Sequence, residues 1–129
     1  MKTTSIYLSM ILAISSVLYI AYAGSPVYVE SLVDAMAESE STGKDIFVIF
    51  TADWCGACRV MKKDIDKNPQ FLESYIVCMI DYDTNPDLIK EYGVRTIPDY
   101  FVLKNKKEIK RRKGYSNIIK LREWIQDDK

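Results

Sequence analysis

Two cysteines three apart, Cys55 and Cys58, stand in the string Asp53-Trp54-Cys55-Gly56-Ala57-Cys58. Thiols at that spacing can close a small disulfide ring, or act in turn, one sulfur attacking a disulfide and the other resolving the mixed product. The apolar run Ile46-Phe47-Val48-Ile49-Phe50 just upstream reads as a buried strand, and Cys58 to about Lys67 has helix-forming composition. The pair therefore falls where a strand turns into a helix. Unpaired N–H groups and the positive end of the helix dipole favour a thiolate there. Cys55 is expected to be the exposed, readily ionised nucleophile, and Cys58, inside the first turn, the shielded resolving thiol.

The elements that must hold this pair can be read along the chain. Its 129 residues leave room for one domain. Lys2, an apolar stretch from Ile6 to Ile20 and Ala21-Tyr22-Ala23 form the pattern of a secretory signal, with residues 1–23 removed and 24–129 the folded domain. The rival reading is an uncleaved membrane anchor over residues 6–20; both deliver the domain to the periplasm or outside the cell. Removing residues 1–23 takes away one base, Lys2, from 18 Lys and Arg against 18 Asp and Glu. A net charge of about −1 argues against a nucleic-acid partner.

Ser25-Pro26 reads as the cap and first position of a helix whose apolar face is Val29, Leu32, Val33 and Met36, closed by Gly43. Asn68-Pro69 breaks the cysteine helix, a short helical turn is expected over Gln70 to Ser74, and Ile76 to Ile80 is a second buried run. A polar loop from Asp81 to Pro86 leads to a short helix, Asp87 to Tyr92, closed by Gly93. Asp99 to Leu103 and Glu108 to Lys113 read as a hairpin, and Ser116 as the cap of a last helix with Ile118, Leu121 and Ile125 on one face, Trp124 beside them. The order predicts an α/β fold, a mixed central sheet covered by helices on both faces.

Three ordered landmarks carry a resemblance. Trp54-Cys55-Gly56-Ala57-Cys58 after a hydrophobic strand, Tyr92-Gly93-Val94-Arg95-Thr96-Ile97-Pro98, and Gly114 after the last strand together resemble the thioredoxin superfamily over roughly Lys44 to Gln126. The longer string from Phe50 to Arg59 looks most like the C-terminal thioredoxin-like domain of the bacterial transmembrane thiol–disulfide interchange protein. The resemblance implies the thioredoxin fold, a cis Pro98 facing Cys55 and Cys58, and a backbone edge at Ile97 that pairs with a substrate main chain. Trp54, Gly56, Ala57, Ile97 and Pro98 are the substrate-binding residues it implies, with Tyr115 a further candidate for the apolar apron. It implies a monomer acting on disulfide-containing proteins, without a prosthetic group, and resupplied with electrons by a membrane thiol donor.

Direction can be argued from the same residues. Gly56 and Ala57 add neither charge nor side-chain donor, and the chain has no histidine, so a thiolate relies on backbone N–H groups. Weaker stabilisation of the reduced form means a lower potential, and so a protein-disulfide reductase. A disulfide-forming or isomerising enzyme is the alternative within the class; an adaptor with incidental cysteines is the alternative outside it. The chain departs from the superfamily pattern in three places. Ile49 replaces a buried aspartate, Met79 its lysine partner on the neighbouring strand, and Lys63 a helix-kinking proline. Asp53 or a water is then left as proton acceptor for Cys58. Cys78 reads as a small core hydrophobe, and three cysteines without histidine make a poor metal set. Lys104, Lys106, Lys107, Lys110, Arg111, Arg112 and Lys113 read as a solvated hairpin whose charges discourage edge pairing; docking to an acidic partner or anionic lipid is the rival.

Overall fold

A computed structural model describes residues 26–127; the signal-type segment 1–23 lies outside the described residues. The five strands are β1 (Val27–Val29), β2 (Asp45–Thr51), β3 (Tyr75–Asp81), β4 (Asp99–Lys104) and β5 (Lys107–Lys113). They form one sheet in the order β1-β3-β2-β4-β5. β1 and β2 run parallel to β3, while β4 runs antiparallel to β2 and to β5. Because β2 and β3 are parallel, the chain leaves both at the same end of the sheet, which brings Ala52–Cys58 and Asp81–Asn85 together.

Alternation along the strands sends side chains to two cores. Ile46, Val48 and Phe50 join Ile76, Cys78, Ile80, Phe101 and Leu103 beneath α1 (Leu32–Thr42) and α3 (Pro86–Glu91). Phe47, Ile49, Val77, Tyr100 and Val102 join Met61, Ile65, Leu121 and Ile125 beneath α2 (Gly56–Lys67) and α4 (Ile118–Gln126). Fully burying an aliphatic or aromatic side chain contributes about 1.5–3 kcal/mol, so these two layers dominate the stability. The mixed sheet with helices on both faces is the expected architecture.

Two local expectations are corrected. Residues 27–29, read as the start of a helix, are a strand, and α1 begins later with Ser31 as its cap, its hydroxyl accepting from the Asp34 N–H at 3.3 Å. The helical spacing of Val29 with Leu32, Val33 and Met36 was a coincidence of two elements, since Val29 instead pairs with Cys78 along β3. α4 is capped by Asn117, whose side chain accepts from the Lys120 N–H at 3.0 Å, and not by Ser116. The turn over Gln70 to Ser74 is a 3-10 helix at Pro69–Leu72.

The hairpin contains a bulge that decides where its charges point. Lys104 pairs with Lys107 and Leu103 with Glu108, but Val102 pairs with Lys110, leaving Ile109 as the extra residue. One inserted residue moves every later side chain to the opposite face. Arg111 thereby stands opposite Phe101 on the α1/α3 face, and Lys110 opposite Val102 on the α2/α4 face. At the turn, Asn105 (φ 51°) and Lys106 (φ 64°) are both left-handed, as a two-residue hairpin requires.

Candidate active site

β2 ends at Thr51, and after a tight turn Cys55 becomes the N-cap of α2 in extended conformation (φ −82°, ψ 108°). The turn is closed by the Cys55 N–H donating to the Ala52 carbonyl at 3.1 Å, and the helix starts with Arg59 N–H on the Cys55 carbonyl at 3.1 Å. The Cys55 sulfur does what a serine or aspartate does at other helix starts: it accepts from a backbone N–H, that of Cys58, at 3.2 Å. In the structure Cys55 and Cys58 are joined as a disulfide, with Cα atoms 5.2 Å apart. Cys58 is wholly buried, whereas Cys55 keeps 7 % of its surface open. The order of exposure is the expected one, but Cys55 is a nearly covered sulfur rather than an open one.

Ala52, Tyr82 and Ile97 pack around the two sulfurs. Ile97 is joined to Pro98 by a cis peptide bond, and Pro98 is buried. Trp54 lies outside them, 64 % exposed, its indole N–H donating to the Asp83 carboxylate at 2.8 Å and its ring edge-on to Tyr82 at 6.4 Å. Gly56 and Ala57 are exposed in the first turn of α2. A Cβ at Gly56 would meet only the end of the Arg59 side chain, at 3.8 Å, so nothing in the packing demands glycine there. The Arg59 guanidinium donates to the Asp53 carbonyl at 2.7 Å and braces the turn from outside. All five substrate-side candidates thus stand at the cysteine end of the sheet or in the segment leading into β4.

Tyr115 does not join them. Its hydroxyl donates to the Asp64 carboxylate at 2.6 Å, and its ring packs in the α2/α4 core. Burial, then the Asp64 carboxylate, pushes its ionisation well above the ordinary tyrosine range. Ile49 and Met79 are direct neighbours across β2 and β3, so both members of the buried pair missing from this chain are replaced by apolar side chains in contact register. Asp53 is exposed. Cys78 is fully buried beside Val48, and burial raises its thiol to about 12, with Asp34 adding to the shift. It behaves as a core side chain.

Sequence reading missed Tyr82 and Asp83. The parallel pairing of β2 and β3 is the signal that finds them, because it places the polar loop after Asp81 beside the turn after Thr51. Within that loop the Asp81 carboxylate accepts from the N–H groups of Thr84 and Asp83, at 2.9 Å each, and from the Thr84 hydroxyl at 3.1 Å. These bonds, the Thr84 N–H first, hold Asp81 below the usual carboxylate range and fix the loop that presents Asp83 to Trp54.

The basic hairpin is less solvated than expected. Lys110 donates to the carbonyls of Trp124, Ile125 and Asp127, at 3.1, 2.7 and 2.9 Å, and lies 5.4 Å from the Trp124 ring centre, so it closes the C-terminus of α4. Arg111 is bound to the buried Asp99 through two hydrogen bonds of 2.8 and 2.7 Å. Lys104 and Lys106 lie against Asp45 and Glu40.

A cysteine pair at a strand-to-helix junction, one residue wholly buried and the other keeping a little open surface, faced by a cis-proline segment on a five-stranded mixed sheet, defines a thiol–disulfide oxidoreductase of thioredoxin fold. The comparisons agree. The thioredoxin family profile matches residues 30–127. Thioredoxin of Rickettsia bellii is 31% identical over 101 residues, covering 76% of this chain and 96% of its own. Thioredoxin of Porphyra purpurea is 36% identical over 80 residues, covering 60% and 75%. The structure of Fasciola hepatica thioredoxin superposes with a TM-score of 0.67 at 28% identity, covering 80% of this chain and 99% of that one. The chain belongs to the thioredoxin family.

Proposed function

We propose that this protein is an exported reductase of protein disulfides, working through Cys55 and Cys58. The observation that carries the reading is the asymmetry of the pair. Only Cys55 has surface open to a substrate, while Cys58 lies directly beneath it. In the reduced protein the Cys55 thiolate attacks one sulfur of a substrate disulfide. A mixed disulfide forms, and the other substrate sulfur leaves as a thiolate that takes up a proton. Cys58, deprotonated, then attacks the Cys55 sulfur. The Cys55–Cys58 bond forms, the mixed disulfide breaks, and the second substrate thiol is released. Two electrons pass from the cysteine pair to the substrate, and no further prosthetic group takes part.

Trp54, Gly56, Ala57, Ile97 and Pro98 form the substrate surface in this reading, with an exposed indole next to Cys55 in the chain and Ile97 packed against the pair. The reducing direction rests on the absence of thiolate-stabilising side chains. Gly56 and Ala57 bring none, and the Cys55 sulfur accepts from the backbone N–H of Cys58. Neither Ile49 nor Met79 supplies a proton acceptor for Cys58, which leaves the exposed Asp53 or a water for that role. Export rests on the pattern of residues 1–23, cleaved or retained as an anchor over residues 6–20. An exported reductase draws electrons from a thiol donor in the membrane. The resemblance of residues 50–59 to the C-terminal domain of the transmembrane interchange protein agrees with that supply. We expect it to act as a monomer.

The experiment is a trap. With Cys58→Ser the first step proceeds and the second cannot, so mixed disulfides with substrate proteins accumulate on Cys55 and are released by a small thiol. With Cys55→Ser none should form. Equal trapping by both variants would remove the assignment of nucleophile and resolving thiol. No trapping by either, with the cellular role retained by the double variant, would leave an adaptor.

A further inference from the structure

The segment 93–98 brings Ile97 to the sulfurs, and both its ends converge on one guanidinium from β5. At the start, the Tyr92 carbonyl at the close of α3 accepts from Arg111 Nη1 at 2.9 Å. At the end, Asp99 follows Pro98 with its carboxylate wholly buried and takes the Arg111 fork through both oxygens. The same guanidinium lies 5.2 Å from the Phe101 ring centre, and Phe101 stacks on Tyr92 at 5.0 Å. The Pro98 carbonyl is held separately by the Gly114 N–H at 2.7 Å, at the end of β5. Two further charges reach this cluster, Lys113 at 4.0 Å from Asp99 and Glu108 at 3.4 Å from Arg111.

We propose that Arg111 and Asp99 are positioning residues for the substrate-facing segment 93–98, and through it for capture of the substrate's main chain. The inference rests on the reading of Ile97 as a substrate contact given under Proposed function. A planar fork holds two acceptors at fixed angles, which a lysine ammonium does not, so the staple sets geometry as well as charge. Without it the segment keeps its covalent ends, the Gly93 and Val94 N–H bonds to the Lys90 and Ile89 carbonyls of α3, and the Gly114 bond, but loses the tie that relates the end of α3 to the start of β4. Displacing a substrate-positioning group by about 1 Å can cost on the order of 10²-fold in rate. The Cys55–Cys58 pair, carried by β2 and α2, keeps its own donors.

The test compares two substrates on Arg111→Lys and Asp99→Asn. One is a protein substrate, insulin, whose interchain disulfides are reached through main-chain docking. The other is a small aromatic disulfide, which needs only the sulfur. The expected result is a loss of about tenfold to a hundredfold in kcat/KM for the protein. It should come mainly from KM, with the small-disulfide rate within about twofold and the reduction potential unchanged. The ratio of the two rates does not depend on how much protein is folded, so partial unfolding cannot imitate the effect. Lys113→Met, at the exposed edge of the same cluster, should leave the ratio unchanged. A ratio equal to the parent's in both variants overturns the proposal. If the parent itself reduced neither substrate, the reading of function would fall first.

Discussion

The pair Ile49 and Met79 offers a quantitative test of why two polar residues were lost together. Ile49 is 1% exposed and faces Met79 across the β2–β3 ladder. Ile49→Asp alone forfeits the burial of an isoleucine, about 1.5–3 kcal/mol. The introduced carboxyl would also have its ionisation pushed up by about 3 units or more, which at pH 7 adds about 4 kcal/mol. The total, about 6 kcal/mol, is comparable to the whole stability of a typical domain, about 5–15 kcal/mol. Met79 is half-buried and lines a groove with Lys62 and Asp81, so an ammonium placed there could reach both water and the new carboxylate. Adding Met79→Lys should therefore recover about 3 kcal/mol, seen as a coupling energy in a double-mutant cycle by urea unfolding. The pH sign is definite. A carboxyl whose folded pKa is raised is penalised only when ionised, so the charge part of the loss should vanish below about pH 4 and grow as pH rises towards 7. The isoleucine part should persist throughout. A single variant within about 1 kcal/mol of the parent at pH 7, or a double variant no better than the single, would refute the view that these positions form one buried site.

Other expectations follow from the same structure. Lys110→Met removes three bonds to the last carbonyls of α4 and should lower stability by about 1–2 kcal/mol, allowing for its half-exposed position. That is a melting-temperature drop of about 4–8 °C per kcal/mol in a domain of this size, whereas Lys113→Met should change stability by less than about 0.5 kcal/mol. Equal effects would return the whole hairpin to a solvated face. Burial raises Cys78 from 9.0 to about 12, so its contribution is fully present below pH 9 and is lost as pH climbs from 9 to 12. Denaturant titrations should show stability falling over that range, with a shallower slope in Cys78→Ala; identical slopes would mean that the thiol is not sealed in the core. Tyr28, Tyr92, Tyr100 and Tyr115, all raised by burial, act with the same sign and supply the slope that remains.

Much of the site could be read before any coordinate, because its parts are local. A buried run, a turn and a helix start determine where Cys55 and Cys58 stand, and these are neighbours in sequence. The cis peptide at Ile97-Pro98 was accessible through the resemblance. What escaped depends on contacts between distant segments. β1 is three residues long and exists because β3 offers it an edge, so no periodicity within residues 27–29 could announce it. Asp99 looked like an ordinary strand residue and Arg111 like one base among seven. The bulge at Ile109 is what turns Arg111 towards Asp99 and Lys110 towards α4, and it has no signature in residue types. Ser116 and Asn117 are both good caps, and only the docking of α4 chooses between them.

In the proposed function the Cys55–Cys58 pair donates electrons to protein disulfides. The reduction potential of the pair, measured against a defined thiol buffer in a Cys78→Ala background, decides that direction. A value near about −270 mV, in the range of a reducing thioredoxin, is the predicted result. A value near about −120 mV, that of a strong disulfide donor, would contradict it and reverse the direction of the reaction.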